Sequence, residues 1–143
     1  MTIRQLSIFI ENTPKSLCAA TKVLADNKVN MRAISLADTS DFGIIRIITD
    51  NPDEVKAILK KNDYVSTITD VLLVEIPDTA GSLNNILTLT AENDRNVEYM
   101  YGFTGKKTNS AYMVMRFTDT KKAAEILQKN GIKLVAEKDL DNV

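Results

Sequence analysis

Two short stretches of this chain hold the residue types that could engage a small molecule: Asn12-Thr13-Pro14-Lys15-Ser16-Leu17 and Asp78-Thr79-Ala80-Gly81-Ser82-Leu83. Each links an alternating apolar segment to one whose apolar residues recur at helical spacing. A strand that turns straight into a helix leaves the first helical N–H groups without partners. The helix dipole adds partial positive charge there, so a carboxylate is favoured. Asn12 and Asp78, just before the helix, can hold a polar group, and an aspartate suits an ammonium. Gly81 lets a ligand approach the backbone and permits dihedrals closed to other residues. The chemistry on offer is reversible binding. Acid–base and metal chemistry find little material: the chain has no histidine and one cysteine, Cys18, which removes the commonest general base and argues against zinc or copper.

The totals agree. The 143 residues are 44% hydrophobic and 26% charged, with 18 basic against 19 acidic side chains and a net charge of -1. This is ordinary globular composition. Without a basic excess, nucleic acid is not expected as the main partner. No run of about 18 apolar residues suggests a membrane span, and "MTIRQLSIFIEN" lacks the pattern of a signal peptide. A lone cysteine, which we read as a small apolar residue of the first helix, fits a reducing cytoplasm. No cofactor is expected.

The two stretches belong to a longer repeat. Thr13, Ser16 and Leu17 reappear as Thr79, Ser82 and Leu83, and Leu24 to Met31 lies over Thr90 to Val97 at the same offset. Ile45-Arg46-Ile47 then lies over Met115-Arg116-Phe117, the second copy carrying about four more residues around "TGKKTNS". A repeat of this length calls for one supersecondary unit used twice. In the first copy Leu6, Ile8 and Ile10 alternate as a strand. Thr13-Pro14 reads as a helix start, with threonine as cap and proline at the first helical position. Leu17, Ala20 and Leu24 form a helical stripe. "IIRIIT" is a β-branched strand, "DNPDEVKAILKKN" a second helix and "YVSTI" a short last strand. The second copy repeats the order through "VLLVEI", "TAGSLNNILTLTAEN", "NVEYMYGF", "SAYMVMRF", "TKKAAEILQKNG" and "IKLVAE". The order βαββαβ in each copy predicts an α+β chain of two ferredoxin-like units, each an antiparallel sheet with its helices on one face. The expected domains are residues 1–69 and 70–143, with no Gly/Ser/Pro-rich linker between them.

Several families share this topology, and the residues sort them. The first copy's central strand has no aromatic ring to stack a base, no Cys-x-x-Cys pair is present, and no Gly-rich basic loop is organised for phosphate. "IENTPKSL" and "IPDTAGSL", each followed about fifteen residues later by an apolar-Asn-apolar step, resemble the ACT domain, a small regulatory module that binds amino acids. The family's usual corner is Asp or Asn, one residue, Pro, Gly, one residue, Leu. Here the first copy keeps the proline and has Lys15 at the glycine position. The second keeps Gly81 and has Ala80 at the proline position. "ISLADTSDFGIIRIITDNPDEVKAIL" is also similar to small stand-alone tandem ACT proteins of bacteria and archaea, so the likeness covers essentially the whole chain.

The resemblance implies a non-catalytic regulatory protein. An amino acid, carrying an anion and a cation, would bind at the strand-to-helix corners and domain interfaces and change association or the activity of a partner. The implied ligand residues are Asn12, Thr13, Pro14, Lys15, Ser16 and Leu17 with Asn30 and Met31 in the first copy. In the second they are Asp78, Thr79, Ala80, Gly81, Ser82 and Leu83 with Asn96 and Val97. In the family the asparagine at the second strand often reaches the ligand across an interface. It also implies pairing of edge strands, hence a homodimer, and a metabolic enzyme as a possible target. Lys15 would crowd the first corner, so two unequal sites are expected. A plainer reading makes Asn12 and Asp78 helix caps, Asn30 and Asn96 turn residues, and Gly81 a packing residue. Two rival functions remain. An enzyme would use Asp38, Asp41 and the amines of Lys15, Lys106 and Lys107. A protein-interaction module or regulatory subunit would have no small ligand of its own.

Overall fold

A computed structural model describes residues 1–143. The chain forms two compact units, Arg4–Thr69 on one side and Asp70–Val143 with Met1–Ile3 on the other. The first contains strand β1 (Ile3–Glu11), helix α1 (Ser16–Asp26), strands β2 (Met31–Asp38) and β3 (Phe42–Thr49), helix α2 (Pro52–Lys61) and the start of β4 (Val65–Pro77). The strands "YVSTI" and "VLLVEI", expected as two, are this single strand β4. The second unit continues with α3 (Ser82–Glu92), β5 (Val97–Phe103), β6 (Ser110–Phe117), α4 (Thr120–Lys129), β7 (Lys133–Val135) and a 3-10 turn over Glu137–Asn142.

In the first unit the strand order is β2-β3-β1-β4. β1 runs antiparallel to β3 from Leu6↔Ile47 to Glu11↔Phe42. Side chains alternate across a strand, so Leu6, Ile8 and Ile10 share one face with Ile45 and Ile47. There they meet Ala20 and Leu24 of α1 and Val55 and Leu59 of α2. Each such aliphatic side chain contributes about 1.5–3 kcal/mol when fully withdrawn from water. Tyr64 and Ile68 close the margin of this core.

The second unit repeats the plan. β6 pairs with β4 from Leu72↔Met115 to Pro77↔Ser110, β5 lies beyond β6, and β7 takes the other side of β4. Leu72, Val74 and Ile76 face Ile86, Ala123, Ala124 and Leu127, with Met115, Phe117 and Leu134 alongside. Both second strands begin with a bulge, between Met31 and Ala33 and between Val97 and Tyr99. "IKLVAE" yields a strand of three residues only, because Glu137 onward turns into the 3-10 segment. That segment has no apolar period to announce it. No helix is long and apolar enough to cross a membrane.

Candidate functional site

The two corners are built by four-residue turns rather than by caps. The helices begin at Ser16 and Ser82, later than the Thr13-Pro14 start expected from capping rules. The Ser16 N–H donates to the Thr13 carbonyl at 3.2 Å, and the Ser82 N–H donates to that of Thr79 at 3.2 Å. The threonine hydroxyl, free of any cap bond, meets the serine hydroxyl instead: Thr13 with Ser16, and Thr79 with Ser82 at 2.8 Å. In the first turn Lys15 has φ -102° and ψ -9°, the third position of a type I turn, with Pro14 at the favoured second position. In the second turn Gly81 has φ 89° and ψ -15°, and Ala80 keeps a negative φ. That is a type II turn, which demands a left-handed third residue. A Cβ added at Gly81 would meet nothing within 4 Å. The glycine answers a backbone requirement and no packing constraint.

The Asx residues also differ from caps. Asn12 donates through Nδ2 to the Thr39 carbonyl at 3.3 Å and through its backbone N–H to Asp41 at 3.2 Å, fastening the corner to the β2–β3 hairpin. Asp78 donates its backbone N–H to Asn109 at 3.0 Å, while its carboxylate is exposed to solvent. In that hairpin Thr39, rather than Asp38 or Asp41, closes the turn onto Phe42.

Beside the second corner lies a cleft of about 500 Å³, lined by Glu75, Ile76 and Pro77 of β4 and by Ser82, Asn85 and Ile86 of α3. Asn109 and Ser110 complete it from the β5–β6 connection, and Gly131, Ile132 and Lys133 from the end of α4. Glu75 borders it, but its side chain alternates with those of Val74 and Ile76 and leaves from the face of the sheet opposite the helices. This side chain is 13% exposed; Oε2 lies 2.5 Å from Lys133 Nζ and Oε1 lies 3.4 Å from Lys107 Nζ. The Ser110 hydroxyl donates to Oε1 at 3.2 Å. Burial pushes the Glu75 pKa up, but the bonds and charges of Lys133, Ser110 and Lys107 outweigh it and leave the group below the usual value. The hydrogen bond to Glu75 holds Lys133 above the normal lysine value.

Under this cluster lies Tyr112, paired with Glu75 across the strands and 2% exposed. Its ring packs edge-on to Phe103 at 6.2 Å. Burial, then the charge of Glu75, raises its pKa. The hydroxyl lies near Glu75 and Ser110 but reaches neither in hydrogen-bonding geometry. Gly105 sits on the ring so closely that a Cβ there would fall 2.2 Å from it. The extra residues of the second copy therefore form a strap: Gly105 lies on Tyr112, Lys106 Nζ donates to the Asp141 carbonyl at 3.0 Å, and Lys107 reaches Glu75.

At the equivalent place in the first unit the cleft holds about 280 Å³ and is lined by Phe9, Ile10, Glu11, Ser16, Ala19, Asp63 and Tyr64. Phe9 stands where the second unit has Glu75, Ala19 where it has Asn85, and Tyr64 where it has Ile132. Both charged residues of this smaller cleft are acids.

Of the residues expected at the sites, Ser16 and Ser82 line these clefts. Asn12, Thr13, Pro14, Lys15, Asp78, Thr79, Ala80 and Gly81 form the exposed turns beside them. Leu17 and Leu83 pack partly against the two cores. Asn30, Met31, Asn96 and Val97 stand elsewhere within each unit, at the far end of α1 or α3, about 16 Å away for a helix of 11 residues. Asn30 borders a separate recess of about 170 Å³ with Asp50 and Glu54. The charge cluster of Glu75, Lys107, Ser110 and Lys133 was not anticipated, since its members are far apart in sequence and have no counterparts in the first copy. Cys18 is exposed on α1. No group of three or more His, Cys, Asp or Glu side chains is placed to hold a metal ion.

Two βαββαβ units, each with a strand-to-helix corner opening on a cleft, define a tandem domain pair of ferredoxin-like type. The model of the ACT domain pair matches residues 1–143. The chain belongs to that family. A crystal structure of a protein from Bacteroides thetaiotaomicron is similar over 100% of this chain and 98% of its own, at 36% identity and TM-score 0.90. The ligand-free regulatory subunit of aspartate kinase from Thermus thermophilus aligns over 88% of this chain and 91% of its own, at 12% identity and TM-score 0.62. That from Thermus flavus aligns over 88% and 90%, at 13% identity and TM-score 0.61. These two share the fold. A search of curated protein sequences finds no match.

Proposed function

We propose that this ACT domain pair is a non-catalytic sensor that binds one small amino acid per chain, in the cleft at the Gly81 corner. The observation that carries this reading is the inequality of the two clefts. The second holds about 500 Å³ with neutral polar Ser82, Asn85 and Ser110 on its wall, within the usual range for small-ligand sites. The first is smaller, is lined by Phe9 and Tyr64, and presents Glu11 and Asp63 to an incoming carboxylate. The αL glycine is likewise confined to the second corner. Asp78 stands beside the cleft with a carboxylate free for an ammonium.

Occupancy would act through association. β2 lies at the outer side of its sheet and exposes Ile34 (47%) and Leu36 (52%), which supports a homodimer through this strand. The domain pair would then present its ligand state to a metabolic enzyme, as the regulatory-subunit likeness suggests. The test is melting temperature against the twenty amino acids, followed by calorimetric titration of the ligand found. One ligand per chain, lost in Gly81→Lys, is the expected result. Two equal sites per chain would overturn the unequal-site reading. A panel without any shift would leave a protein-interaction module in its place.

A further inference from the structure

The two units differ on the sheet face turned away from their helices. In the second unit the chain roofs this face itself. Phe103, Tyr112 and Glu75 stand in one row across β5, β6 and β4, with Lys133 of β7 beside Glu75. Over them the strap lays Gly105 on the Tyr112 ring and Lys107 on Glu75. The counterpart row of the first unit is Ala37, Ile44, Phe9 and Val65, across β2, β3, β1 and β4. It carries no charge, and no strap covers it, because only residues 39–41 join β2 to β3. Phe9 is 41% exposed, Val65 68%, and Phe42, one row further along, 60%. Phe9 and Phe42 together thus leave open one phenylalanine's worth of surface, on the order of 200 Å².

We propose that this face of the first unit is a contact between two copies of the chain, packed about a two-fold axis that runs along the Phe9–Ile44 row. Charge complementarity singles out a second copy as the occupant. An isologous contact must match a patch with itself, and this patch does. On one side of the row β1 and β3 carry Glu11 and Phe42, and on the other Ser7 and Arg46. Each flanking row lies about 7 Å from the axis, and the rotation exchanges them. Arg46 of one copy then lies over Phe42 of the other, a cation over an aromatic ring. It also comes within one strand spacing, about 5 Å, of that copy's Glu11. Each pair forms twice. The contact is separate from pairing through β2, whose Ile34 and Leu36 are in register with Ile47 and Ile45 and so lie on the helix side. A standard interface covers about 800 Å² on each partner. The patch supplies only part of that area, so the association is a weak one that builds up with concentration.

The test is sedimentation of the full chain at protein concentrations from about 5 to about 500 µM, a range over which mass action decides a weak self-association. Wild-type mass should rise across that range toward twice its starting value. Phe9→Ser takes the central ring from both copies and should weaken this step at least about tenfold, as loss of a central aromatic anchor does. Glu11→Arg and Arg46→Glu each set like charges together and should weaken it as much. The two combined should restore the association constant to within about threefold of wild type. Phe9 and Glu11 are exposed, so their variants keep the test sharp should Arg46→Glu fail to fold. A mass that does not change with concentration overturns the proposal, as does a rise that persists in Phe9→Ser or in Glu11→Arg. The β2 pairing is tested apart from it. Leu36→Glu should lower the mass at low concentration and leave the concentration-dependent step intact. A step lost in Leu36→Glu and kept in Phe9→Ser belongs to β2 and sinks this proposal. A step lost in Phe9→Ser, beside a low-concentration mass that Leu36→Glu leaves unchanged, supports it and sinks the β2 pairing alone.

Discussion

Gly81 offers the sharpest test of how this corner is built. Its φ of 89° lies in the region that L residues avoid, yet an added Cβ would meet nothing within 4 Å. The cost of Gly81→Ala is then conformational only. Left-handed backbone costs a non-glycine residue about 1–2 kcal/mol, while the stiffer unfolded chain returns about 0.4–1 kcal/mol. The net loss should be about 0.5–1.5 kcal/mol, read from urea unfolding, or a fall of about 4–8 °C in Tm per kcal/mol for a unit of this size. Gly81→Asn separates the causes. Asparagine is larger than alanine but tolerates αL better, so it should cost less. If Asn costs as much as Ala or more, space rather than dihedral governs the site and the reasoning fails.

Other outcomes follow from the same geometry. The Glu75 pKa is depressed in the folded state, so its pairing stabilises the fold above the unfolded value and is lost as pH falls through the folded one. Wild-type Tm should therefore drop more steeply below about pH 4 than that of Glu75→Gln, and parallel curves would contradict this. Gly105→Ala forces a methyl against the Tyr112 ring and should cost about 1–3 kcal/mol in urea unfolding, whereas an unchanged midpoint would mean the strap yields freely. Leu36→Glu lies on an exposed strand position and should change stability by only about 0.5 kcal/mol; under the proposed pairing through β2 it should also shift light-scattering mass from dimer to monomer, and an unchanged mass would refute that pairing.

The sequence disclosed most of the fold because the repeat is written in apolar periods. Leu6, Ile8 and Ile10, and Leu72, Val74 and Ile76, mark the same buried face twice. Helix starts were misplaced because threonine before a helix usually caps it. Here Thr13 and Thr79 spend their hydroxyls on Ser16 and Ser82, and the turn supplies the geometry. The neighbourhood of the corners was legible from Asn12, Asp78 and Gly81, but the charge cluster around Glu75 was not. Glu75 reads as an ordinary outward residue of "LLVEI", and its partners Lys107, Ser110 and Lys133 are brought to it only by strand pairing. No local pattern encodes such a meeting. The short β7 and the 3-10 segment were hidden for a related reason: "IKLVAEKDLDN" is held by what it packs against, not by its own period.

Changing a turn from type I to type II rotates its central peptide group by about 150°. The amide hydrogen and the carbonyl oxygen exchange sides, and with them a dipole of about 3.5 D. The chain thus carries two copies of one corner with that peptide aimed in opposite senses, and the choice rests on whether a lysine or a glycine occupies the third place. For a duplicated domain this is an economical route to divergence. One copy can invert the polarity of its doorway while its buried sheet face stays apolar, and so diverge from its twin without unfolding itself.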